Sequence, residues 1–275
     1  MKIRSTEREH KFTQTLFTEL NIFSIQGLTL SADHNFTACI EAIQYEDNET
    51  INLRAIFPVL DVKAKHHLST VLAIPFYYLI YKNGHYFIHQ VECNPEPTFT
   101  TIADFNEEKF IEWWQKIKGQ KQTKEVFEAQ VRIDSSVFDN VLAKYKLAWG
   151  GNIDGYMFKE KHIACIIENI YTQKNPLDSP KGDPYYYFKG KGPNYNTWYP
   201  TVKLASILKI PLFLFTIQGN SDDAKIGFAI IEHLSTEEIH YLDGIFPHKN
   251  IIEGKDNIKK MILSKLNVKA PYIKS

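Results

Sequence analysis

The sequence predicts an α/β protein, with mixed central sheets flanked by helices and one plan written twice. The first support is a rhyme between two stretches, Leu68 to Tyr81 and Leu204 to Ile217. Each reads as the end of a short helix, an Ile-Pro break (Ile74-Pro75 and Ile210-Pro211) and an apolar strand buried on both faces. The second is that an acidic hairpin precedes each stretch. The third is composition. With 275 residues, 44% hydrophobic and 13% aromatic, the chain can bury one large core or two modest ones.

Taken in order, residues 5–22 read as an opening helix leading to Leu28 and Leu30. Phe36 to Ile43 reads as a strand and Tyr45 to Glu49 as its polar turn. Ile51 to Val62 reads as the returning strand, where Pro58 argues for a bulge or an edge. A short helix is expected over Ala64 to Ala73, then a strand from Pro75 through Tyr81. The Asn83-Gly84 turn sends His85 to Val91 back along that strand. A Pro- and Thr-rich connection from Asn94 to Thr101 leads into a helix over Asn106 to Lys118, with Phe110, Trp113, Trp114 and Ile117 along one side. The polar segment Gln120 to Lys124 suggests a linker, so the expected units are 1–122 and 123–275.

The second unit is expected to repeat the order. A helix covers Ser135 to Leu147, and a hairpin joins Ile153–Phe158 to His162–Ile170. A Pro- and Gly-rich insert follows over 171–197. A helix from Tyr199 to Lys209 carries Pro200 in its first turn, where the missing N–H costs nothing. Strands Pro211 to Ile217 and Ile226 to Ile231 close the core.

Lys plus Arg and Asp plus Glu both number 32 and the pI is about 7.1, so bulk charge gives a nucleic-acid ligand no support. The last thirty-one residues carry seven Lys against Glu253 and Asp256, which suits either a phosphate-facing surface or a solvated helix. No apolar segment has the length of a membrane span, and the N-terminal ten residues lack a signal-peptide core, so no membrane partner is expected. Cys39, Cys93 and Cys165 have no Cys or His at ligand spacing. They read as free thiols of a cytoplasmic protein.

Hydrolysis of a phosphodiester requires stabilised phosphoryl oxygens and an activated water. Carboxylates on neighbouring strands can hold Mg²⁺ or Mn²⁺ for both tasks, with a nearby lysine orienting the water. On a strand, Asp61 and Lys63 would share a face, with Glu41 across the hairpin. The plainer readings are that Asp61 and Lys63 protect an exposed strand edge and that Glu41 pairs with Arg54. In the second unit Asp154 and Glu168 lie fourteen residues apart on the two arms of a hairpin.

This order of residues resembles the PD-(D/E)xK restriction-endonuclease-like superfamily: an acidic residue on one strand, Asp or Glu-x-Lys on the next, then a helix and another core strand. The resemblance implies Glu41 and Asp61 as metal carboxylates with Lys63 as the lysine, and Asp154 and Glu168 as metal carboxylates of the second copy. It implies Mg²⁺ or Mn²⁺ as cofactor and metal-dependent hydrolysis of DNA, with RNA as second choice, in an endonuclease of the restriction or defence kind. Glu41 departs from the family's usual Asp. Ile170 stands where the second copy needs its lysine, so Lys203 from the following helix is the candidate donor, with Lys174 and Lys181 of the insert as alternatives. Lys189, Lys191, Tyr195 and Trp198 interleave cations with aromatic faces, a pattern suited to phosphates and bases. The missing lysine and neutral charge keep a second reading open, a non-catalytic binding or inhibitory protein on a decayed nuclease scaffold.

Overall fold

A computed structural model describes residues 2–3, 18–46, 48–119, 136–147, 149–172, 195–218, 225–236, 239–242 and 251–274. It has mixed strands and flanking helices, as the sequence predicts, in two compact units. Of the described residues, 2–3 and 25–152 form unit 1, and 18–24 with 153–274 form unit 2. The division falls at 152/153 rather than at 122/123, and one segment on the near side of that division goes with unit 2.

Unit 1 contains β1 (Lys2–Ile3), most of β2 (Ile22–Leu30), β3 (Phe36–Gln44), α1 (Leu53–Ile56), α2 (Val59–Val71), β4 (Phe76–Lys82), β5 (His85–Cys93), β6 (Pro97–Phe105), α3 (Glu107–Ile117) and α4 (Val137–Lys144). Its strand order is β2-β3-β4-β5-β6, with β1 paired to the end of β3. The β3–β4 pair is parallel and the others are antiparallel. Asn83 and Gly84 both take positive φ, as the tight β4–β5 turn requires. One face of the sheet carries Ala38, Ile40, Ala42, Leu79 and Ile88 against Phe110 and Trp114 of α3 and Phe138, Val141 and Leu142 of α4. The other face is crossed by α2.

Two N-terminal caps make α3 and α4 start where they do. Asn106 accepts from the Lys109 N–H at the start of α3, and Ser136 with Asp139 forms a reciprocal capping box on α4. After α4, Trp149 lies on Gly27, and Gly150 passes so close to β2 that an added Cβ would stand 2.6 Å from the Leu28 carbonyl oxygen.

Unit 2 contains most of β7 (Gly151–Lys159), β8 (His162–Thr172), α5 (Tyr195–Leu208), β9 (Leu212–Gln218), β10 (Lys225–Leu234), β11 (Ile239–Leu242), α6 (Ile251–Ser264) and β12 (Tyr272–Ile273). Its strands run β7-β8-β9-β10-β11, with β12 parallel to β10. The β8–β9 pair is parallel, and its antiparallel neighbours repeat the senses of unit 1. The face bearing Cys165, Ile167, Phe213 and Phe215 packs on Ile258 and Ile262 of α6, together with Leu20 and Ile22. Helix α5 crosses β8, β9 and β10.

The sequence reading needs four corrections. Residues 51–62 do not form a strand: Pro58 caps α2, which begins at Val59. A proline has no N–H to give a ladder but suits a helix entrance. Asp61 and Lys63 are therefore helical, and their side chains diverge instead of sharing a strand face. The partner of β3 is β2, which takes up the stretch after the expected opening helix; Thr18 to Leu20 are helical, as expected there, and residues 5–17 of that helix lie outside the described residues. Third, β6 replaces the expected Pro- and Thr-rich connection, its Thr-rich outer face belonging to a polar edge strand. Fourth, α5 begins at Tyr195, so Pro200 lies inside it rather than in its first turn.

Candidate functional site

The two units hold equivalent polar centres, and backbone register fixes the correspondence. In unit 1 the Cys39 N–H donates to the Pro75 carbonyl, and in unit 2 the Ile166 N–H donates to the Pro211 carbonyl. Glu41 and Glu168 each follow two residues later on the same strand, opposite Tyr78 and Leu214. Gly27 pairs with Ile40, and Gly155 with Ile167. The residue before each glycine is Gln26 in unit 1 and Asp154 in unit 2. Counting ten residues back from each proline gives Lys65 on α2 and Thr201 on α5.

The hydrogen bonds follow the same correspondence. The Ala42 N–H donates to Gln26 Oε1 at 2.7 Å, and the Asn169 N–H donates to Asp154 Oδ2 at 2.8 Å. Each helix also delivers one polar group to its glutamate. The Lys65 ammonium lies 3.2 Å from Glu41 Oε2, whereas the Thr201 hydroxyl donates to Glu168 Oε2 at 3.3 Å. Both helices end alike, with Ala73 and Lys209 at positive φ (53° and 56°).

In unit 1 Lys65 also lies 3.0 Å from Asp61 Oδ2, one helical turn earlier. Glu41 and Asp61 therefore both reach one ammonium. Glu41 is 2% and Lys65 5% exposed. Burial pushes the Glu41 carboxyl above its usual range; Lys65 pulls it down, Asp61 pushes it up, and the Gln26 N–H lowers it. Burial pulls Lys65 down, but the charges of Glu41 and Asp61 outweigh this and hold it above its usual value. Glu41 keeps its proton more firmly because it is buried, and Lys65 because two carboxylates share its ammonium. Lys63 points elsewhere, to Glu96 at 2.8 Å.

In unit 2 Asp154 is 4% exposed, while Glu168 keeps an accessible edge. Loss of water pushes the Glu168 carboxyl well above its usual range, the Asp154 charge pushes further, and the Thr201 hydrogen bond opposes both. This is the signature of two like charges in one poorly hydrated place. Lys203 sits two residues past Thr201, about 200° around the helix. Its Nζ lies 5.7 Å from the centre of the Tyr199 ring, and partial burial lowers its pKa. Trp198 is 5% exposed and packs inward; Tyr195 is half-buried against Tyr199. Lys174, Lys181, Lys189 and Lys191 lie outside the described residues.

Among the described residues no group of three or more His, Cys, Asp or Glu side chains is placed to hold a metal ion. A pair of carboxylates still suffices for Mg²⁺, which keeps several waters and takes further oxygens from a phosphate. Asp154 and Glu168 fit that requirement: their mutual repulsion raises the proton affinity of Glu168, and a cation between them relieves it. Unit 1 does not fit, because its carboxylates already close on Lys65 and its Asp154 counterpart is the neutral Gln26.

Sequence reasoning missed Gln26, Lys65 and Thr201. The signal for Lys65 was a charged residue within the buried stripe Val62, Lys65, Leu68 of α2. The signal for Gln26 was the parallel between Ile25-Gln26-Gly27 and Ile153-Asp154-Gly155. The chain matches no known protein family, no curated protein and no solved structure. Among the described residues no helix is long and apolar enough to cross a membrane.

Proposed function

We propose that the chain is a Mg²⁺- or Mn²⁺-dependent phosphodiesterase of the restriction-endonuclease-like kind that cuts DNA at one centre, Asp154 and Glu168 of unit 2. The observation that carries this reading is the pair of carboxylates whose charges repel in a partly dehydrated place, with Glu168 still reachable from solvent. Such strain is the ordinary preparation for a divalent cation. When bound, the metal supplies Lewis acidity toward a phosphoryl oxygen and acidifies a water. The chain's own part is to hold that cation: the Asn169 N–H fixes Asp154, and Thr201 fixes Glu168. Ile170 brings no ammonium to the site, so protein charge at the scissile phosphate has to come from elsewhere.

With one metal seat per chain, each encounter breaks one strand. Supercoiled plasmid incubated with the protein and MnCl₂ is expected to accumulate as nicked circle before linear DNA appears. EDTA, Asp154→Asn and Glu168→Gln are each expected to lower the rate by about a hundredfold or more, the usual consequence of losing a metal ligand. Undiminished cleavage by either variant would remove the assignment.

The second reading, a non-catalytic nucleic-acid- or protein-binding scaffold, is favoured by Ile170 in the lysine position. It predicts a chain that takes up Mn²⁺ at Asp154 and Glu168, or none at all, and leaves every plasmid intact.

A further inference from the structure

The two polar centres differ at two corresponding positions, and both differences act in one electrostatic direction. Gln26 replaces the carboxylate that Asp154 supplies, yet its Oε1 accepts from the Ala42 N–H as Asp154 Oδ2 accepts from the Asn169 N–H. The backbone bond is kept while a negative charge is removed. Lys65 replaces the hydroxyl of Thr201 with an ammonium that bridges carboxylates from β3 and α2, at 3.2 and 3.0 Å. An ammonium enclosed by carboxylate oxygens of two elements, 5% exposed, stands where a bound cation would stand.

We propose that unit 1 is a latent divalent-metal site whose cation has been replaced by the Lys65 side chain, and that the residue at this helix position decides whether a unit takes metal. An ordinary buried ion pair would need neither the glutamine at 26 nor the hydroxyl at the corresponding place in unit 2. Built-in charge and borrowed charge are alternatives: where the helix supplies the cation, the neighbouring strand gives up its carboxylate. In unit 2 the helix supplies only a hydroxyl, and the strand retains Asp154. The unit 2 half of this inference rests on the function proposed above; the unit 1 half stands on its own geometry.

The test is Mn²⁺ titration calorimetry and thermal melting on the full chain and two variants. Gln26→Asp/Lys65→Thr presents carboxylates at positions 26, 41 and 61 with no ammonium, and is expected to bind one more Mn²⁺ per chain than the wild type. If its crowded carboxylates loosen the fold, the gained site is read instead as a Tm that climbs with MnCl₂ concentration more steeply than the wild type's, since a ligand of the folded state stabilises by mass action. Thr201→Lys is expected to weaken Mn²⁺ binding in unit 2 by about tenfold or more. The proposal is overturned if the double variant takes up no additional Mn²⁺ by either measure, or if the wild type binds Mn²⁺ and Thr201→Lys binds it as tightly. A wild type that binds none, with a double variant that binds one, sinks the metal seat of unit 2 and keeps the inference for unit 1. Uptake that follows the expected pattern without any DNA cleavage sinks the nuclease reading alone.

Discussion

Lys65 is the residue on which unit 1 turns. Its ammonium is shared by Glu41 and Asp61, and none of the three is well hydrated. Lys65→Ala leaves two carboxylates facing each other in a dry place, and chemical denaturation is expected to register a loss of about 3–5 kcal/mol. Glu41→Gln tests the electrostatics more finely. The folded Glu41 carboxyl titrates above its unfolded range, so between those two values the folded state holds the extra proton. Stability carried by this group therefore increases as pH falls through the raised pKa and is absent above it. Other carboxylates titrate in the same window, so the informative quantity is the difference between wild type and variant. As pH falls from neutral, that difference is expected to move in favour of the wild type, and a flat difference would contradict the shift. Lys65 works at the opposite end: its contribution is complete below its unfolded pKa and disappears as pH rises through the higher folded one.

At the scale of elements, the chain's punctuation was easier to read than its register. Asn83-Gly84, the Phe110/Trp114 stripe and the two Ile-Pro breaks are local signals, and each marks a real turn, helix or strand entry. The hairpin holding Asp154 and Glu168 was legible because a short polar turn separates two apolar arms. Its counterpart in unit 1 was not, since a single turn residue, Asn21, separates the opening helix from β2, and α2 buries a lysine where helix patterning expects an apolar residue. A strand over 51–62 would put Asp61 and Lys63 on a common face; the helix instead brings Lys65 between Glu41 and Asp61. The matched helix ends give a further test. Lys209 adopts a left-handed conformation in which its Cβ is crowded. Lys209→Gly is expected to add about 0.5–1 kcal/mol to stability, read from the denaturant midpoint, because glycine takes that conformation freely.

At the scale of the molecule, a boundary drawn midway through the sequence does not cut between the units. Helix α4 belongs to unit 1 although it precedes β7, the first strand of the second plan, and Leu20 and Ile22 belong to the core of unit 2 although they precede β3. A fragment spanning 153–275 lacks both of those core side chains. It is expected to melt without a cooperative transition, whereas a separately supplied 1–152 fragment is expected to restore one on mixing. A sharp melt of 153–275 alone would refute this division. The internal repeat thus shares its topology between the units but not its segment ownership, which is why linker composition at 120–124 misplaced the boundary.

Lys259 of α6 reaches back to Glu19 at 3.2 Å, across almost the whole chain. On the ribosome, the segment carrying Glu19, Leu20 and Ile22 emerges well before its docking surface of β8, β9 and α6, and must then wait for it. Unit 1 can close once Trp149 has left the exit tunnel, so it is positioned to fold first and to tether the waiting segment during elongation. The order of synthesis thus leaves an early segment to be fastened by a much later one.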